Sequence, residues 1–176
     1  MAEIRITGGE LRGRRLHVPK TGVRPTTGKV REALFSMLGD VEGARVLDLF
    51  CGSGALGIEA LSRGAAEATM VDTRPAAARR NLESLGLDDR ARVVRADAAR
   101  FLRRAEAGSF DLVLCDPPYR LADRLAADLV QLIPRVLAQG GRLMLESSPE
   151  RPLVLPLPLR TERTYGDTLI RIQVHE

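Results

Sequence analysis

The residues best suited to chemistry are Asp116-Pro117-Pro118-Tyr119, which directly follow the apolar run 110–115. Proline lacks an N–H and has a fixed φ, so the two prolines end the strand that this run predicts. They also leave carbonyl oxygens without a local partner. The turn would therefore present a carboxylate, carbonyl oxygens and an aromatic face, which suits it to hold a planar ring bearing an amine. The structural alternative is a strand-end turn whose tyrosine packs on the core.

A second group of residues, from Asp48 to Gly57, is typical of a nucleotide-binding loop. Gly52, Gly54 and Gly57 have the spacing G-x-G-x-x-G after an apolar strand. Glycines allow a tight turn and a close approach of the backbone to a ligand at the N-terminus of the next helix. Asp72 lies 20 residues beyond Gly52, at the end of the next predicted strand. This arrangement fits the dinucleotide-binding fingerprint.

The acidic residues near this loop favour S-adenosylmethionine over NAD as the ligand. Asp48 precedes the loop, where a carboxylate suits the amino-acid end of S-adenosylmethionine and would oppose a diphosphate. Asp97 and Ala98 follow the third strand and suit contacts near an adenine. Asp48, Asp72 and Asp97 thus fall at strand C-termini, where open α/β sheets bind ligands. Each acid has a structural alternative as the N-cap of the following helix.

The elements that must position these residues alternate between strand and helix from residue 44 onward. Such alternation predicts a mostly parallel sheet with helices on both faces. A C-terminal hairpin is expected to add antiparallel strands at the sheet edge. The predicted strands are 44–50, 68–72, 91–97, 110–116, 141–147, 160–165 and 168–174, and the predicted helices are 54–63, 74–85, 98–105 and 121–138.

Before residue 44 the sequence predicts a small extension. Residues 4–7 and 11–18 alternate apolar and polar side chains around Gly8-Gly9, which indicates a β-hairpin. Thr26-Thr27 then caps a helix over 28–39. We therefore expect residues 1–40 to form a hairpin-and-helix extension and residues 41–176 to form a single compact domain.

The net charge of +4 is concentrated in this extension. Residues 1–31 carry eight basic and two acidic side chains, whereas residues 32–176 carry 19 basic and 21 acidic ones. Such asymmetry favours a polyanionic partner, and the alternative is a basic surface that merely aids solubility. The side chains expected to contact nucleic-acid phosphates are Arg5, Arg12, Arg14, Arg15 and Arg24.

Composition makes several other classes of protein implausible. No apolar run approaches the roughly 20 residues of a membrane helix. The N-terminus also has no apolar segment of the kind that a secretory signal contains. Two histidines and two cysteines without C-x-x-C spacing do not make a metal cluster or a disulfide framework. We therefore expect a cytoplasmic protein with neither a metal nor a membrane partner.

Together these motifs resemble those of class I S-adenosylmethionine-dependent methyltransferases. More narrowly, the chain resembles the bacterial RsmD-type methyltransferases of guanine N2 in small-subunit (16S) ribosomal RNA. The resemblance covers nearly the whole chain. Its most specific parts are Arg24-Pro25-Thr26-Thr27 and Asp116-Pro117-Pro118-Tyr119, with the glycine-loop segment 48–63 between them.

The resemblance implies a Rossmann-like, mostly parallel seven-stranded sheet and a guanine substrate in 16S ribosomal RNA, presented on the small subunit or an assembly intermediate. It also implies that segment 24–32 helps to close the pocket. In this reaction Asp116 and Pro117 would bind the amine, and Tyr119 would stack on the flipped base. The implied cofactor contacts are Asp48, Phe50, Gly52, Gly54, Asp72, Asp97 and Ala98.

Three other functions stay open at this stage. The glycine spacing permits an NAD-dependent oxidoreductase, although little chain remains for a substrate domain. Another amine methyltransferase, acting on adenine N6 or on a protein amide, would use the same turn. A non-catalytic RNA-binding assembly factor could share the methyltransferase fold. Methylation at carbon 5 of a pyrimidine is disfavoured, because it needs a cysteine nucleophile and Cys115 is expected to point into the sheet.

Overall fold

The computed structural model describes residues 2–20 and 26–176 of the chain. The strands are β1 (Ala2–Arg5), β2 (Arg15–Val18), β3 (Arg45–Leu49), β4 (Glu67–Asp72), β5 (Ala91–Arg95), β6 (Phe110–Cys115), β7 (Leu137–Ser147), β8 (Leu159–Tyr165) and β9 (Thr168–Val174). The helices are α1 (Gly28–Leu38), α2 (Ala55–Ser62), α3 (Ala76–Leu85), α4 (Ala98–Arg104) and α5 (Tyr119–Val136).

Seven of the strands form one sheet, in the order β5-β4-β3-β6-β7-β9-β8. Strands β3 to β7 are parallel, whereas β9 pairs antiparallel with both β7 and β8. The predicted mostly parallel seven-stranded α/β fold is therefore confirmed. From β3 the chain adds β4 and then β5 on one side of the sheet, and it returns to the other side of β3 with β6 and β7. Open α/β sheets bind ligands at the carboxyl ends of the strands beside such a switch point.

Two apolar cores cover the two faces of the sheet. Residues such as Leu114 and Met144 pack towards α1, α2 and α3, and their neighbours Cys115 and Leu145 pack towards α4 and α5. This alternation follows from the pleat of a strand, in which successive side chains point to opposite faces. Because both faces are covered, these strands read as continuous apolar runs. The same alternation fixes the face to which each strand-end side chain points.

The N-terminal hairpin differs from the prediction in its strand bounds. It forms a separate two-stranded antiparallel sheet, in which β1 ends at Arg5 and β2 begins at Arg15. Residues 6–14 are not strand, so Gly8-Gly9 is not the tight turn between two long strands. Ile6 and Leu16 are nevertheless buried in the core that α1, α2 and α3 cover. The predicted division of the chain at residue 40 stays a prediction.

Packing on α2 explains the shorter strands. The buried Glu59 carboxylate accepts hydrogen bonds from the Thr7 N–H, from the Thr7 hydroxyl at 2.6 Å and from the Gly8 N–H at 2.8 Å. Gly9 has a φ of +79°, and a Cβ there would lie 1.8 Å from the Ser62 carbonyl oxygen. These residues therefore dock the extension on the helix that follows the glycine loop.

The other elements lie close to their predicted bounds, with one difference between α5 and β7. The helix ends at Val136, and β7 begins at Leu137 rather than at residue 141. Leu137 pairs with Phe110, and an irregularity in the pairing follows before Arg142 pairs with Leu112. The long β7 carries the chain back to the carboxyl edge of the sheet.

Candidate active site

An acidic side chain stands at the carboxyl end of each of the five parallel strands. In their order across the sheet, these residues are Asp97 after β5, Asp72 on β4, Asp48 on β3, Asp116 after β6 and Glu146 on β7. Such a row of carboxyl groups is electrostatically unfavourable unless hydrogen bonds, protons or ligands offset their repulsion. The partners of each acid therefore indicate what it can do.

The glycine loop between β3 and α2 has an unusual backbone. Phe50 has a φ of +59°, and Gly52 and Gly54 have φ values of +54° and +79°. Gly54 is the N-cap residue of α2. No atom lies within 4 Å of a Cβ built at Gly52, so the space in front of this part of the loop is open. A ligand can therefore approach the backbone at the N-terminus of α2.

Asp48 lies beneath this loop and is almost completely buried, with 1% of its surface exposed. Its Oδ2 accepts a hydrogen bond from the Gly57 N–H at 2.9 Å. Burial raises the pKa of Asp48 to about 7, although the Gly57 bond acts in the opposite direction. A Cβ at Gly57 would lie 2.7 Å from Cε of Met70 and 3.0 Å from Oδ2 of Asp48. The third glycine of the motif therefore allows α2 to pack against the sheet.

Asp72 and Asp97 are held by backbone N–H groups. Asp72 accepts hydrogen bonds from the Gly52 N–H at 2.9 Å and from the Arg74 N–H at 2.7 Å. Asp97 is exposed and caps α4, because its side chain accepts from the Arg100 N–H at 3.1 Å. Asp97 is thus the N-cap of α4, as its structural alternative proposed. Asp72, at the end of β4, instead stabilises the glycine loop that follows the neighbouring strand β3.

These groups fit S-adenosylmethionine. Asp72 keeps unused lone pairs beside the open face of Gly52, where they suit sugar hydroxyl groups. Ala98 is the first residue of α4, and first-turn N–H groups of a helix have no partner within the helix. The contacts predicted for Asp48, Phe50, Gly52, Gly54, Asp72, Asp97 and Ala98 stay predictions at the level of single residues.

Asp116 and Glu146 meet at the ends of β6 and β7. Cys115 pairs with Leu145 in the parallel register, so the next residue of each strand is Asp116 and Glu146, respectively. Neighbouring strands lie about 4.8 Å apart. Since Cys115 and Leu145 belong to the core under α4 and α5, the two acids project to the opposite face, which α1 covers.

Among the described residues, threonine hydroxyls and no cation contact this carboxyl pair. Glu146 is buried, and its Oε2 accepts a hydrogen bond from the Thr26 hydroxyl at 3.4 Å. Burial, and then the neighbouring Glu146, raise the pKa of Asp116 well above its usual range. Burial likewise raises the pKa of Glu146. Within residues 2–20 and 26–176, neither acid forms an ion pair, so the two carboxyl groups hold a proton more readily than isolated ones.

Sequence reasoning missed Glu146, although a signal was present. Glu146 follows the apolar run 143–145 as Asp116 follows the run 110–115. An acid at the end of a second buried strand was enough to nominate it. Its proximity to Asp116 depends on β6 and β7 being neighbours in register, which the linear sequence does not show.

The aromatic residue of the turn is accessible. Pro118 is the N-cap residue of α5, and Tyr119 begins the helix with 51% of its surface exposed. The Tyr119 hydroxyl donates to the Asp167 carbonyl oxygen at 3.4 Å, in the turn between β8 and β9. The ring is therefore held from the adjacent hairpin and is not buried in the core, contrary to the structural alternative.

The start of α1 reaches the same site. Thr27 caps the helix by accepting from the Val30 N–H at 3.3 Å, as the sequence predicts. The buried Arg31 donates to the Thr26 carbonyl at 3.4 Å and to the Arg5 carbonyl, and its Nε lies 3.7 Å from Oε2 of Glu59. Arg31 thereby fixes Thr26, which contacts the carboxyl pair.

Comparison with known proteins identifies the family. A family model described as Conserved hypothetical protein 95 matches residues 4–174. A protein named Ribosomal RNA small subunit methyltransferase D, from Escherichia coli (strain K12), is 47% identical over 184 residues, which cover 99% of this chain and 91% of that protein. The chain belongs to the Conserved hypothetical protein 95 family. The resemblance to RsmD-type methyltransferases is therefore confirmed.

Solved structures agree with this assignment. A solved structure named Putative methyltransferase yhhF, from Escherichia coli, has a TM-score of 0.84 with 36% identity, and the match covers 99% of both chains. A more distant methyltransferase, solved in complex with SAH, shares the fold at a TM-score of 0.71 and 18% identity, over 92% of this chain and 54% of that chain. The prediction of a methyltransferase is confirmed, and the fold is one that a methyltransferase solved with SAH shares.

In this member of the Conserved hypothetical protein 95 family, Asn81 joins the glycine loop to the N-terminal extension. This buried side chain accepts from the His17 N–H and donates to the His17 carbonyl oxygen, both at 2.9 Å. It also donates to the Ser53 carbonyl oxygen at 2.9 Å. Sequence reasoning missed this link, because a polar residue in a helical pattern gives no sign of a partner 64 residues away.

The predicted RNA-binding arginines are all exposed where the structure describes them. Arg5 and Arg15 lie on β1 and β2, where Arg5 donates to the Gly13 carbonyl and Arg15 pairs with Glu3. Arg12 and Arg14 lie in the connection 6–14, and their side chains form no hydrogen bond or ion pair with the described residues. Arg24 lies outside the described residues. Phosphate binding by these arginines stays a prediction.

Two features of the structure bear on other classes of function. None of the helices in the described part of the chain is long and apolar enough to cross a membrane. Among the same residues, no group of three or more His, Cys, Asp or Glu side chains is arranged to hold a metal ion.

Proposed function

We propose that this protein transfers a methyl group from S-adenosylmethionine to the exocyclic N2 amine of a guanine in 16S ribosomal RNA, on the small subunit or an assembly intermediate. The observation that carries the proposal is the Asp116–Tyr119 turn, with its carboxyl group, carbonyl oxygen and exposed ring, beside the glycine loop. The name of the Escherichia coli relative supports the class of RNA. Such a substrate places the reaction in the cytoplasm, where ribosomal subunits assemble.

The turn offers two acceptors for the amine. The Pro118 carbonyl is occupied by the Leu121 N–H at 2.8 Å, whereas the Pro117 carbonyl accepts no hydrogen bond from the described residues. The lone pair of an exocyclic amine is delocalised into the ring, so the nitrogen is a weak nucleophile. Acceptors on its two N–H groups, supplied by Pro117 and Asp116, hold the amine and help to localise the lone pair as attack begins.

The Asp116–Glu146 pair suits removal of the resulting proton. S-adenosylmethionine supplies the methyl group on a sulfonium, and the carbon–sulfur bond breaks as the carbon–nitrogen bond forms. The alkylated nitrogen is a strong acid and gives a proton to a carboxylate of the pair or to water. Because burial raises the pKa of both acids, the ionised pair takes up a proton more readily than an ordinary carboxylate does.

Tyr119 would hold the base in place by stacking. Stacking of a base on an aromatic side chain is worth about 1–3 kcal/mol. The exposed ring lies on the first turn of α5 and is tied to the β8–β9 turn, so it loses little freedom when a base binds. Fixing the nitrogen in line with the methyl group supplies much of the remaining rate enhancement.

The two cysteines do not favour a covalent mechanism. Cys115 has no exposed surface, and burial raises the pKa of its thiol. Burial also raises the pKa of the Cys51 thiol. A neutral, buried thiol is a poor nucleophile. These properties support attack by an amine of the substrate over methylation at carbon 5 of a pyrimidine.

The deciding experiment is transfer of labelled methyl groups to small subunits that lack the modification, followed by nucleoside analysis. We expect the label in N2-methylguanosine. Label in N6-methyladenosine would replace guanine by adenine as the substrate. Absence of transfer to subunits, to assembly intermediates and to naked RNA would leave the non-catalytic assembly factor as the better interpretation.

A further inference from the structure

We propose that Glu146 accepts the N1–H of the target base and thereby selects guanine. This inference rests on the proposed function, because it assigns a specificity-determining residue to the same site. It adds to the Asp116–Tyr119 turn a contact that comes from a different strand.

The position of Glu146 follows from the sheet register. Cys115 pairs with Leu145, which sets Asp116 and Glu146 side by side on the face that α1 covers. Any base whose amine lies against Asp116 and the Pro117 carbonyl therefore has Glu146 as the next side chain along the sheet edge. No other acid lies at the end of β7 within reach of this position, since Ser147 and Ser148 follow it.

The surroundings of Glu146 indicate a group prepared for a ligand. Only 7% of its surface is exposed, yet no described cation pairs with it. The Thr26 hydroxyl donates to Oε2, which orients the carboxyl group and leaves further lone pairs free. Arg31 donates a hydrogen bond to the Thr26 carbonyl oxygen and so holds Thr26 in place. A buried carboxyl group that accepts from the Thr26 and Thr168 hydroxyls and from no described N–H group is costly unless a proton or a ligand N–H completes its hydrogen bonds.

Guanine supplies the complementary donors. Its Watson–Crick edge presents N1–H next to the N2 amine, so two adjacent donors would face Glu146 and the Asp116–Pro117 acceptors. Adenine presents its N6 amine next to N1, which carries a lone pair instead of a proton. When the proton of the pair lies on Asp116, whose pKa burial raises well above its usual range, Glu146 is a carboxylate, and the N1 lone pair of adenine would repel it and offer it no donor. Specificity of this kind comes from rejecting the wrong base as well as from binding the right one.

The test compares two bases that both carry the reactive amine. 2-Aminopurine has the amine at carbon 2 but a lone pair at N1. The wild-type enzyme and the Glu146→Gln variant are assayed on small subunits that carry either guanine or 2-aminopurine at the position that the wild-type enzyme methylates. We expect Glu146→Gln to lower the guanine to 2-aminopurine ratio of kcat/KM by about 10- to 100-fold, because an amide N–H can donate to N1.

Two further variants separate recognition from structure. Glu150→Gln changes an exposed carboxylate four residues away and should leave the ratio unchanged. Thr26→Val removes the hydroxyl that orients Glu146 and should lower the ratio in the same direction, which provides a second test if Glu146→Gln folds poorly. Binding of S-adenosylmethionine should be unchanged in all three variants.

An unchanged ratio in Glu146→Gln, with overall activity either kept or uniformly reduced, would overturn the inference. An equal change of the ratio in Glu150→Gln would overturn it as well. Failure of the proposed function looks different, because the wild-type enzyme itself would then form no N2-methylguanosine on unmodified subunits.

Discussion

The acids of this protein fall into two regions that differ in how their carboxyl groups are satisfied. At the cofactor edge, formed by the ends of β3, β4 and β5, Asp48, Asp72 and Asp97 each accept backbone N–H groups, from the loops after β3 and β4 and from the first turns of α2 and α4. At the substrate edge, formed by the ends of β6 and β7, Asp116 and Glu146 have each other and the hydroxyls of Thr26 and Thr168. Both regions lie along one edge of the same sheet.

The difference separates acids that shape a binding loop from acids that are free to meet a substrate. Backbone N–H groups favour the charged form of a carboxylate and fix the segments that supply them, although burial still raises the pKa of Asp48. A carboxyl pair without such donors carries raised pKa values and keeps lone pairs for a ligand. Variants in the two regions should therefore fail in different ways.

The largest effect is expected from Asp116→Asn at the substrate edge. We expect kcat to fall by about 100- to 10,000-fold, because the amide neither accepts as strongly nor takes a proton. Binding of S-adenosylmethionine, measured by titration calorimetry, should be unchanged. Asp123→Asn is a matched control, because it makes the same change at an exposed carboxylate on α5, seven residues after Asp116. A loss of cofactor binding in Asp116→Asn would show that Asp116 acts at the cofactor edge and would contradict its assignment to the substrate edge.

Asp72→Asn should produce the opposite pattern. We expect the Kd of S-adenosylmethionine to rise by about 10- to 100-fold. One of the two backbone N–H groups that Asp72 binds would lose its acceptor, and the cofactor would lose a charged acceptor. The value of kcat at saturating cofactor should stay close to that of the wild type. Asp88→Asn, at an exposed position after α3, serves as the control. A fall in kcat with an unchanged Kd would remove the distinction between the two edges.

Variants of Tyr119 test whether its aromatic ring stacks on the target base at the substrate edge. Tyr119→Ala should raise KM for the small subunit by about 5- to 100-fold through lost stacking. Tyr119→Phe keeps the ring and loses only the hydroxyl bond to the Asp167 carbonyl, so its KM should stay near the wild-type value. If both variants were equally impaired, the hydroxyl and not the ring would be the important group.

Asp48 gives the cofactor edge a pH-dependent stability. A carboxyl pKa raised to about 7 means that the folded protein binds a proton that the unfolded chain has released above its ordinary pKa near 4. The free energy of unfolding of the cofactor-free protein should therefore fall as the pH rises from about 4 to 7, by an order of 1–3 kcal/mol from this residue. Asp48→Asn should flatten this dependence in urea titrations at pH 5 and pH 8. An unchanged slope would show that the buried carboxyl group is not the cause.

The smallest effect is expected outside both edges, on the N-terminal extension. Changing Arg12 and Arg14 to glutamine should weaken binding of small subunits and reduce the slope of log K against log salt by about 2. The control is the same double change at Arg103 and Arg104 on α4, which packs on the opposite face of the sheet. Equal effects in the two double variants would indicate a general charge effect and no RNA-binding role for the extension.

Local patterns were sufficient for much of the fold. Apolar runs and glycine or proline stops placed β3 to β6 and α1 to α4 within a few residues, because these signals act over one element at a time. The N-terminal strands were predicted too long, because the contacts of Glu59 with Thr7 and Gly8 cross 51 or more residues. The start of β7 at Leu137 likewise depends on pairing with Phe110 rather than on a local turn signal.

By itself, the sequence determined the glycine loop, the acids at 48, 72 and 97, and the Asp116–Tyr119 turn, because each combines residue type with short-range spacing. Only the tertiary structure decided which acids keep lone pairs for a ligand. That choice depends on the strand order β3-β6-β7 and on the register of Cys115 with Leu145, which bring Asp116 and Glu146 together from 30 residues apart. Long-range strand pairing leaves no mark at either residue alone, and the buried carboxyl pair therefore exists only in the folded chain.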